Sequence, residues 1–425
     1  MRQQQEVALV SVLTSSQTPM ITTESVVRRL RSLGGVGFVI GVYALTRLFA
    51  LAVVVIAGRH QIPLQVNLPV YRSTGAAPGY WTIMTNWDGQ WYGDIASHGY
   101  PFDLPRDGAG HVTQNAWAFH PLYPLLVAGL MWVTGWSFAF VGPAVSVVLG
   151  AVAMVVLFRL VQDALGTTAA RMATVFTCTF ISAPVLQAAY AESLALLLVC
   201  SCLLLLRRRR YAWMAVAIVL LALTRNVVLA MAPVILLHGV VRSRSQADDE
   251  FTAHDRLAVG GLAALSVAAT GLWPAITSVV TGEASAYTQT SGAWNGGLHL
   301  LVGWPLKFLA MTGVLGLVMF LLLLFCLYGL LAGPGARRWG PELWGWAVAY
   351  PAYIVLATTF LSSSLRFMLL AFPLSLLAVD LIRSMGSRVV RRCLMGLTVC
   401  GGLALQWIWI ANFLVVTDPA HQVLP

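Results

Sequence analysis

The feature that most constrains this chain is a series of apolar stretches, each long enough to cross a bilayer, between residues 35 and 415. Hydrophobic residues make up 58% of the sequence and charged residues only 10%. A typical globular domain has about 25% charged residues, and a soluble protein could not bury so much apolar surface. A bilayer accepts it, provided that each crossing satisfies its backbone polar groups within a helix. The sequence therefore predicts an all-α polytopic membrane protein.

The formal charge of +10 does not indicate a nucleic-acid partner, because the basic residues form short clusters between apolar stretches. Such clusters are typical of cytoplasmic loops. Arg28, Arg29 and Arg31 precede the first stretch, which predicts a cytoplasmic N-terminus. Lys307 is the only lysine, and this arginine bias favours a GC-rich bacterial genome, so we expect a bacterial plasma membrane protein.

Keeping every basic cluster on the cytoplasmic side predicts about 11 transmembrane helices in a single domain, residues 35–415. The predicted crossings are 35–57, 138–160, two within 172–206, two within 211–241, 257–279, 305–332, 343–361, 365–382 and 393–415. A cytoplasmic tail, 1–34, would precede them, and an outer tail, 416–425, would follow. The polar segments 58–118 and 280–304 become outer loops. We expect segment 119–136 to be re-entrant or interfacial.

The cysteines indicate neither a metal site nor a disulfide framework. Their positions lie inside or beside apolar runs, without a C-x-x-C pair: Cys178, Cys200, Cys202, Cys326, Cys393 and Cys400. We expect small, buried apolar residues. There is also no Walker A motif, no H-E-x-x-H and no D-x-D pair in the outer loops, so we expect no cofactor and no metal.

The strongest chemical signal is TNWDGQWYGDIASHGYP, residues 85–101, within the first outer loop. Carboxylates flanked by flat aromatic faces suit a carbohydrate or lipid-headgroup site, and a carboxylate there can act as a general base. An interfacial amphipathic helix anchored by tryptophan and tyrosine is the structural alternative. The candidate residues are Trp87, Asp88, Gln90, Trp91, Tyr92 and Asp94.

Further candidates lie near the predicted outer ends of later helices. His120 and Tyr123 belong to FHPLYP, and His120 could be a structural hydrogen-bonding residue instead. Tyr190 and Glu192 belong to AAYAESL, where the glutamate could simply face water. Two arginines lie among apolar residues, which makes an anionic ligand such as phosphate a hypothesis, with snorkelling to headgroups as the alternative. They are Arg225 and Arg366.

These motifs resemble, in order, those of PIG-V-type mannosyltransferases. WDGQWYGDIASHGYP resembles the family's W-D-x-x-W-Y-x-x-I-A-x-x-G-Y, and FHPLYPLL resembles F-F-P-L-Y-P-L. AYAESLALL is similar to the Y-S-E-S-L segment, ALTRNVVLA to L-T-R-x-x-G, and SSSLRFMLLAFPL to S-x-x-R-Y-x-x-x-x-F-P-L. Asn86 stands where the family often has a basic residue, and His120 stands in place of an aromatic one. The resemblance extends over residues 87–374.

The resemblance implies a GT-C glycosyltransferase whose active site faces away from the cytoplasm. It implies transfer of mannose from a polyprenyl-phosphate-mannose donor to a glycolipid or cell-envelope glycan acceptor, with inversion. Asp88 would be the general base, Arg225 and Arg366 would hold the lipid phosphate, and the other candidates would shape the sugar and acceptor pocket. The family's lipid-phosphate enzymes generally use no metal.

Two alternatives stay open. A close variant would use another polyprenyl-phosphate sugar, such as arabinose, glucose or galactose. A flippase or transporter of lipid-linked sugars would also need the helices, the outer arginines and the aromatic loop. Asp88 distinguishes the second alternative, because a transporter tolerates asparagine there and a general base does not.

Overall fold

The computed structural model describes residues 23–63, 75–244, 251–295 and 301–417. Most of the expected N-terminal tail, the outer tail from residue 418, and parts of the loops 58–118 and 280–304 lie outside these ranges. The chain divides into two compact units, residues 1–38 and 39–425. The contacts and sites below all belong to the second unit.

Helices account for nearly all regular structure among the described residues. The α-helices are α1 (Thr23–Gly58), α2 (Tyr80–Ile83), α3 (Asp88–His98), α4 (Leu122–Thr134), α5 (Phe138–Leu165), α6 (Thr167–Cys178), α7 (Glu192–Arg207), α8 (Tyr211–Ala222), α9 (Met231–Arg244), α10 (Ala253–Thr270), α11 (Leu272–Thr281), α12 (Ala286–Asn295), α13 (Gly303–Ala332), α14 (Pro334–Arg337), α15 (Pro341–Ala357), α16 (Ser364–Phe367), α17 (Ser375–Ser384) and α18 (Arg388–Trp409). Short 3₁₀ segments are Ala116–Ala118, Ala183–Gln187, Val228–Ala230 and Met368–Leu374, and a π-helical turn is Ile410–Leu414.

Within the described residues, 6 helical segments are long and apolar enough to cross a membrane. They are Gly34–Gly58, Phe138–Leu165, Ala253–Thr281, Gly303–Ala332, Ser364–Ser384 and Arg388–Leu414. The chain is thus an all-α integral membrane protein, as the apolar stretches predict.

The other predicted crossings coincide with shorter helices: α6 (12 residues), α7 (16), α8 (12), α9 (14) and α15 (17). A helix needs about 20 residues to cross the hydrocarbon core, so these helices do not reach that length alone. The total of about 11 crossings and their orientation therefore stay predictions. Segment 119–136 contains α4, whose 13 residues correspond to roughly 20 Å.

The core of the bundle lies where α5 packs along α6 and α7. Gly150 in α5 leaves no room for a side chain, because an added Cβ would collide with the Tyr43 hydroxyl of α1. That hydroxyl donates to the Leu186 carbonyl at 3.3 Å. The close approach of α1 and α5 therefore depends on a glycine.

The segment that follows α15 changes its helical type around Pro373. Residues Met368–Leu374 form a 3₁₀ segment between α16 and α17. Proline lacks an N–H and cannot complete an α-helical ladder, which accounts for the local change. The result is a broken span that carries Arg366 near its first turn.

The expectation that all cysteines are buried is wrong for half of them. Cys178, Cys200 and Cys202 are buried. Cys326, Cys393 and Cys400 are exposed on α13 and α18, both of which belong to candidate membrane spans. A helix surrounded by lipid can keep such apolar side chains on its outer surface, which the sequence pattern alone does not distinguish from a protein core.

Candidate active site

Asp88 is the first residue of α3, and the backbone immediately before it is unusual. Trp87 has φ 59° and ψ −119°, a left-handed conformation that a bulky residue rarely adopts. Such strain persists only where the surroundings hold it, and Trp87 is buried. The turn therefore fixes where the Asp88 carboxylate emerges, at the positive end of a helix dipole.

Two carboxylates and two guanidinium groups form one continuous ion network. Arg366 Nη1 donates to Asp88 Oδ2 at 2.7 Å and lies 3.2 Å from Glu192 Oε1. Arg225 Nη1 donates to the same Glu192 oxygen at 2.8 Å. The order Asp88–Arg366–Glu192–Arg225 alternates in charge, so the network is neutral as a whole.

The network is largely withdrawn from solvent. The Glu192 and Arg366 side chains are 1% and 4% exposed, whereas those of Asp88 and Arg225 keep 21% and 17%. Glu192 therefore does not face water, and the Arg366 guanidinium does not reach the surface. Removing one partner from a buried ion pair leaves an uncompensated charge, which makes each member necessary to the others.

Aromatic rings border both arginines. The Arg366 guanidinium lies 4.8 Å from the centre of the Tyr190 ring, and that of Arg225 lies 4.6 Å from the Phe367 ring. The Tyr190 hydroxyl donates to the main-chain carbonyl of Asn86 at 2.9 Å. Cation–π contacts stabilise the desolvated guanidinium groups. Tyr190 thereby connects the AYAESL segment to the turn that precedes α3.

Hydrogen bonds to main-chain carbonyls fix the segment that carries Arg366. Ser182 Oγ donates to the Leu365 carbonyl at 2.8 Å, and the Tyr350 hydroxyl donates to the Phe367 carbonyl at 2.8 Å. The residues come from two other parts of the bundle. They satisfy carbonyls that the irregular helix leaves open and so hold Arg366 in register with Asp88.

A cluster of rings covers one face of α3. Trp91 stacks on Phe119 with centroids 5.7 Å apart, and Tyr92 meets Phe119 edge-on at 5.2 Å. Tyr92 also meets Tyr123 at 5.1 Å. The Tyr123 hydroxyl bonds to the Gly142 carbonyl at 2.9 Å, which makes Tyr123 a packing residue between α4 and α5.

His120 is buried between the rings of Trp273 and Tyr287, at centroid distances of 5.8 and 6.4 Å. Burial, with a smaller contribution from Arg225, lowers the pKa of His120 to about 3. The imidazole is therefore neutral at physiological pH. The described residues give it no ion pair with the network.

Asp94 and Gln90 lie on another face of α3 and are not part of the ion network. Asp94 Oδ1 is paired with His98 Nδ1 at 2.9 Å, one turn further along the helix. Both Asp94 and Gln90 line a polar cleft of about 310 Å³. The structure therefore divides the sequence candidates into the ion network, the ring cluster and this cleft.

Arg47 is a buried charge that the motif analysis missed. It lies inside the first apolar stretch, and its guanidinium donates to the carbonyls of Ala183 and Cys178. Its position within an apolar stretch could have identified it from the sequence, because charged residues in transmembrane segments are rare. The carbonyls that it binds lie at and beyond the end of α6, so its role is to close that helix end.

A second buried ion cluster was also missed. Glu342, the second residue of α15, lies 2.6 Å from His238 Nδ1 and 3.2 Å from Arg207 Nη1. It joins three helices at the end of the bundle marked by Arg207–Arg210, which the sequence predicts to be cytoplasmic. No sequence motif predicts this cluster, because its three residues lie in three separate segments of the chain.

Comparison with known proteins gives no family assignment from sequence. The chain matches no family model, and no curated protein sequence matches it. Similar solved structures include ArnT from Cupriavidus metallidurans bound to undecaprenyl phosphate. It is 12% identical with a TM-score of 0.48, over 87% of this chain and 75% of that one. The Archaeoglobus fulgidus oligosaccharyltransferase tethered with an acceptor peptide is 14% identical with a TM-score of 0.44, over 86% of this chain and 55% of that one.

Similarities at these TM-scores and identities do not by themselves assign a function. What the residues establish is an all-α integral membrane protein with a buried network of two carboxylates and two arginines.

Proposed function

We propose that this chain is a GT-C membrane glycosyltransferase that transfers mannose from a polyprenyl-phosphate-mannose donor to a glycolipid or cell-envelope glycan. One observation carries the proposal. Asp88, Glu192, Arg225 and Arg366 come from four separate motif segments that resemble those of PIG-V-type enzymes, and all four side chains meet in one ion network. Burying four charged side chains is costly, so their meeting in one network supports a common function.

Asp88 acts as the general base in this proposal. The acceptor hydroxyl attacks the anomeric carbon of the mannosyl phosphate, the new C–O bond forms, and the bond from that carbon to the phosphate oxygen breaks. The hydroxyl proton passes to Asp88, and the electron pair leaves with the phosphate. Attack from the face opposite the phosphate inverts a β-linked donor to an α-mannoside. The 21% exposure of the Asp88 side chain leaves it open to a ligand.

The two arginines bind the lipid phosphate and stabilise it as it leaves. Arg366 Nε is buried and has no hydrogen-bond partner among the described residues. An unpaired N–H of a guanidinium is costly in the interior, and a phosphate oxygen would satisfy it. Glu192 pairs with both guanidinium groups and keeps them in position.

An apolar groove suits the polyprenyl chain of the donor. The groove has a volume of about 570 Å³ and includes Met368, Phe180 and Leu405 in its walls. Met368 follows Arg366 by two residues in the sequence, although Arg366 itself does not line the groove. A chain of isoprene units would continue from the phosphate along these apolar walls.

The acceptor and donor would meet on the non-cytoplasmic face of a bacterial plasma membrane, with the N-terminus in the cytoplasm. That orientation follows from the arginine clusters. Candidate partners are the lipid-linked sugar donor, the glycolipid or glycan acceptor and the surrounding lipids, without nucleic acid.

The test is mannosyl transfer in membranes, with radiolabelled polyprenyl-phosphate mannose and a lipid extract of the host. Asp88→Asn is compared with Asp103→Asn, which changes an exposed aspartate in the same loop. We expect a labelled glycolipid with the wild type and with Asp103→Asn, and at least a 100-fold lower rate with Asp88→Asn at equal expression.

Equal transfer by both variants would reject Asp88 as the base. Transfer from polyprenyl-phosphate arabinose, glucose or galactose in place of mannose would keep the mechanism and change the donor. If no donor is used, while lipid-linked sugar crosses reconstituted vesicles, the chain is a flippase, and the proposed activity is wrong.

A further inference from the structure

The polar cleft beside α3 contains a buried side chain whose hydrogen-bonding capacity is unused. Asn86 is 1% exposed, lines the cleft, and has no partner for its Oδ1 or Nδ2 among the described residues. Its main-chain carbonyl is already fixed by the Tyr190 hydroxyl. A buried amide with unpaired donor and acceptor is destabilising, so a ligand that supplies both groups would relieve the cost.

The chemistry of the cleft walls excludes a phosphate ligand. The lining side chains include the amide of Gln90, the hydroxyls of Thr85 and Ser97, and the Asp94–His98 pair. Among the described residues no arginine or lysine lines the cleft. The lining carboxylate repels anions, whereas amides and hydroxyls match the hydroxyls of a neutral polyol. The Phe138 ring offers an apolar face of the kind that packs against sugar C–H groups.

The size of the cleft suits one sugar residue. Its volume of about 310 Å³ is near the lower end of small-molecule sites, which run from about 300 to 1,000 Å³. Asp94 and His98 also line a second cavity of about 250 Å³, together with Trp91 and Tyr100. A linear glycan could therefore extend from the first cavity into the second.

We propose that this cleft binds a neutral sugar residue of the acceptor, with Asn86 as the central hydrogen-bonding group. This inference rests on the proposed function, because the bound sugar belongs to an acceptor only if the chain is a glycosyltransferase. Gly89 and Asn86 line the cleft and flank Asp88 in the sequence, at the start of α3. Asp88 itself does not line the cleft, so the sugar is held by the residues on either side of the general base in the sequence, and the arginines lie outside the cleft.

Asn86→Leu separates a binding role from a structural one. Leucine has a similar size and removes the unpaired polar atoms, so we expect an unchanged or higher Tm of the purified protein. The same change should raise the acceptor KM at least 10-fold and leave the donor KM within about 2-fold. A lower Tm with unchanged acceptor KM would mean that Asn86 is a structural residue, and it would overturn the proposal.

Ser97→Trp tests the cleft without touching the core, because Ser97 is exposed at its wall. Asp103→Trp is the matched control on the same polar segment. We expect Ser97→Trp alone to raise the acceptor KM. Equal acceptor KM values for the wild type and both tryptophan variants would reject the site.

Saturation-transfer NMR with methyl α-mannoside and the purified protein distinguishes this proposal from the proposed activity. Signal from the sugar with the wild type, lost in both Asn86→Leu and Ser97→Trp, would support the site even if no glycosyl transfer occurs. Sugar signal that persists in both variants, in an active enzyme, would place the acceptor elsewhere and leave the transferase proposal standing.

Discussion

Asp88 and Arg366 are separated by 278 residues in the sequence, and their side chains form an ion pair with a distance of 2.7 Å. Arg366 simultaneously contacts Glu192, so a single guanidinium nitrogen joins two carboxylates that each begin a helix. Helix N-termini favour negative charge, and the arginine balances both carboxylates where solvent does not. The proposed general base, Asp88, and the proposed phosphate-binding residue, Arg366, are therefore electrostatically coupled.

The Glu192–Arg225 pair should show strong coupling in a double-mutant cycle. Glu192→Gln leaves Arg225 without its carboxylate, and Arg225→Gln leaves Glu192 with Arg366 alone, so each change should cost up to roughly 3–5 kcal/mol of unfolding free energy. The double variant should be less destabilised than the sum of the single changes, because both charges are gone. Unfolding of the purified protein in detergent measures this. Additive effects would contradict the coupling.

His120 should make stability depend on pH. Its pKa is about 3 when folded and would return to about 6.5 on unfolding, so only the unfolded state binds a proton between these values. The free energy of unfolding should fall by up to about 1.4 kcal/mol per unit as the pH drops from 6.5 towards 3.

His120→Phe should remove the contribution of His120 to the pH dependence of the unfolding free energy. His60→Phe, at an exposed position, should leave that pH dependence unchanged. Thermal unfolding at several pH values distinguishes the two variants. Identical slopes in the wild type and His120→Phe would show that another group controls the acid sensitivity.

Gly401 and Gly396 provide a matched test of the apolar groove. Both lie on α18 with open space around an added Cβ, but only Gly401 lines the groove. Gly401→Leu should obstruct the polyprenyl chain and raise the donor KM by about 10-fold, a change of about 1.4 kcal/mol. Gly396→Leu should leave it unchanged. The assay varies polyprenyl-phosphate mannose at saturating acceptor, and a raised KM for both variants would point to a general effect on α18.

Arg47 should matter for stability and not for the chemistry. Arg47→Met leaves the Ala183 carbonyl without this donor and should cost roughly 1–3 kcal/mol, whereas Gln406 still donates to the Cys178 carbonyl. Arg59→Met changes an exposed arginine near the end of α1 and should have little effect. Thermal unfolding in detergent gives the comparison. An unaltered Tm in Arg47→Met would show that water replaces the guanidinium.

The helices and their connections were largely predictable from sequence. Apolar length and arginine position predict both ends of the six long apolar spans within about five residues, because both follow from the bilayer. The short helices α3 and α12, within the predicted outer loops, were not predicted. The two crossings predicted within 172–206 correspond to α6 and α7, separated by the 3₁₀ segment Ala183–Gln187, and the two within 211–241 correspond to α8 and α9, separated by Val228–Ala230. Helix lengths were less accessible, since α6 and α8 are shorter than a full crossing.

The members of the ion network could be named from the sequence, but their contacts with one another could not. The motifs identify Asp88, Glu192, Arg225 and Arg366, but the sequence spacing does not say which arginine meets which carboxylate. Asp94 illustrates the limit, because it shares a helix with Asp88 and pairs with His98 instead. Asn86 illustrates it further, since only three-dimensional packing reveals that its amide is buried without a partner.

The neutrality of the four-residue ion network has a consequence for the end of the catalytic cycle. In the proposed reaction a phosphodiester with one negative charge becomes a phosphomonoester that carries up to two. Asp88 accepts a proton at the same time, becomes neutral, and no longer forms an ion pair with Arg366. The guanidinium is thus released towards the phosphate at the moment when the phosphate becomes more anionic, which would make departure of the spent lipid carrier depend on deprotonation of Asp88.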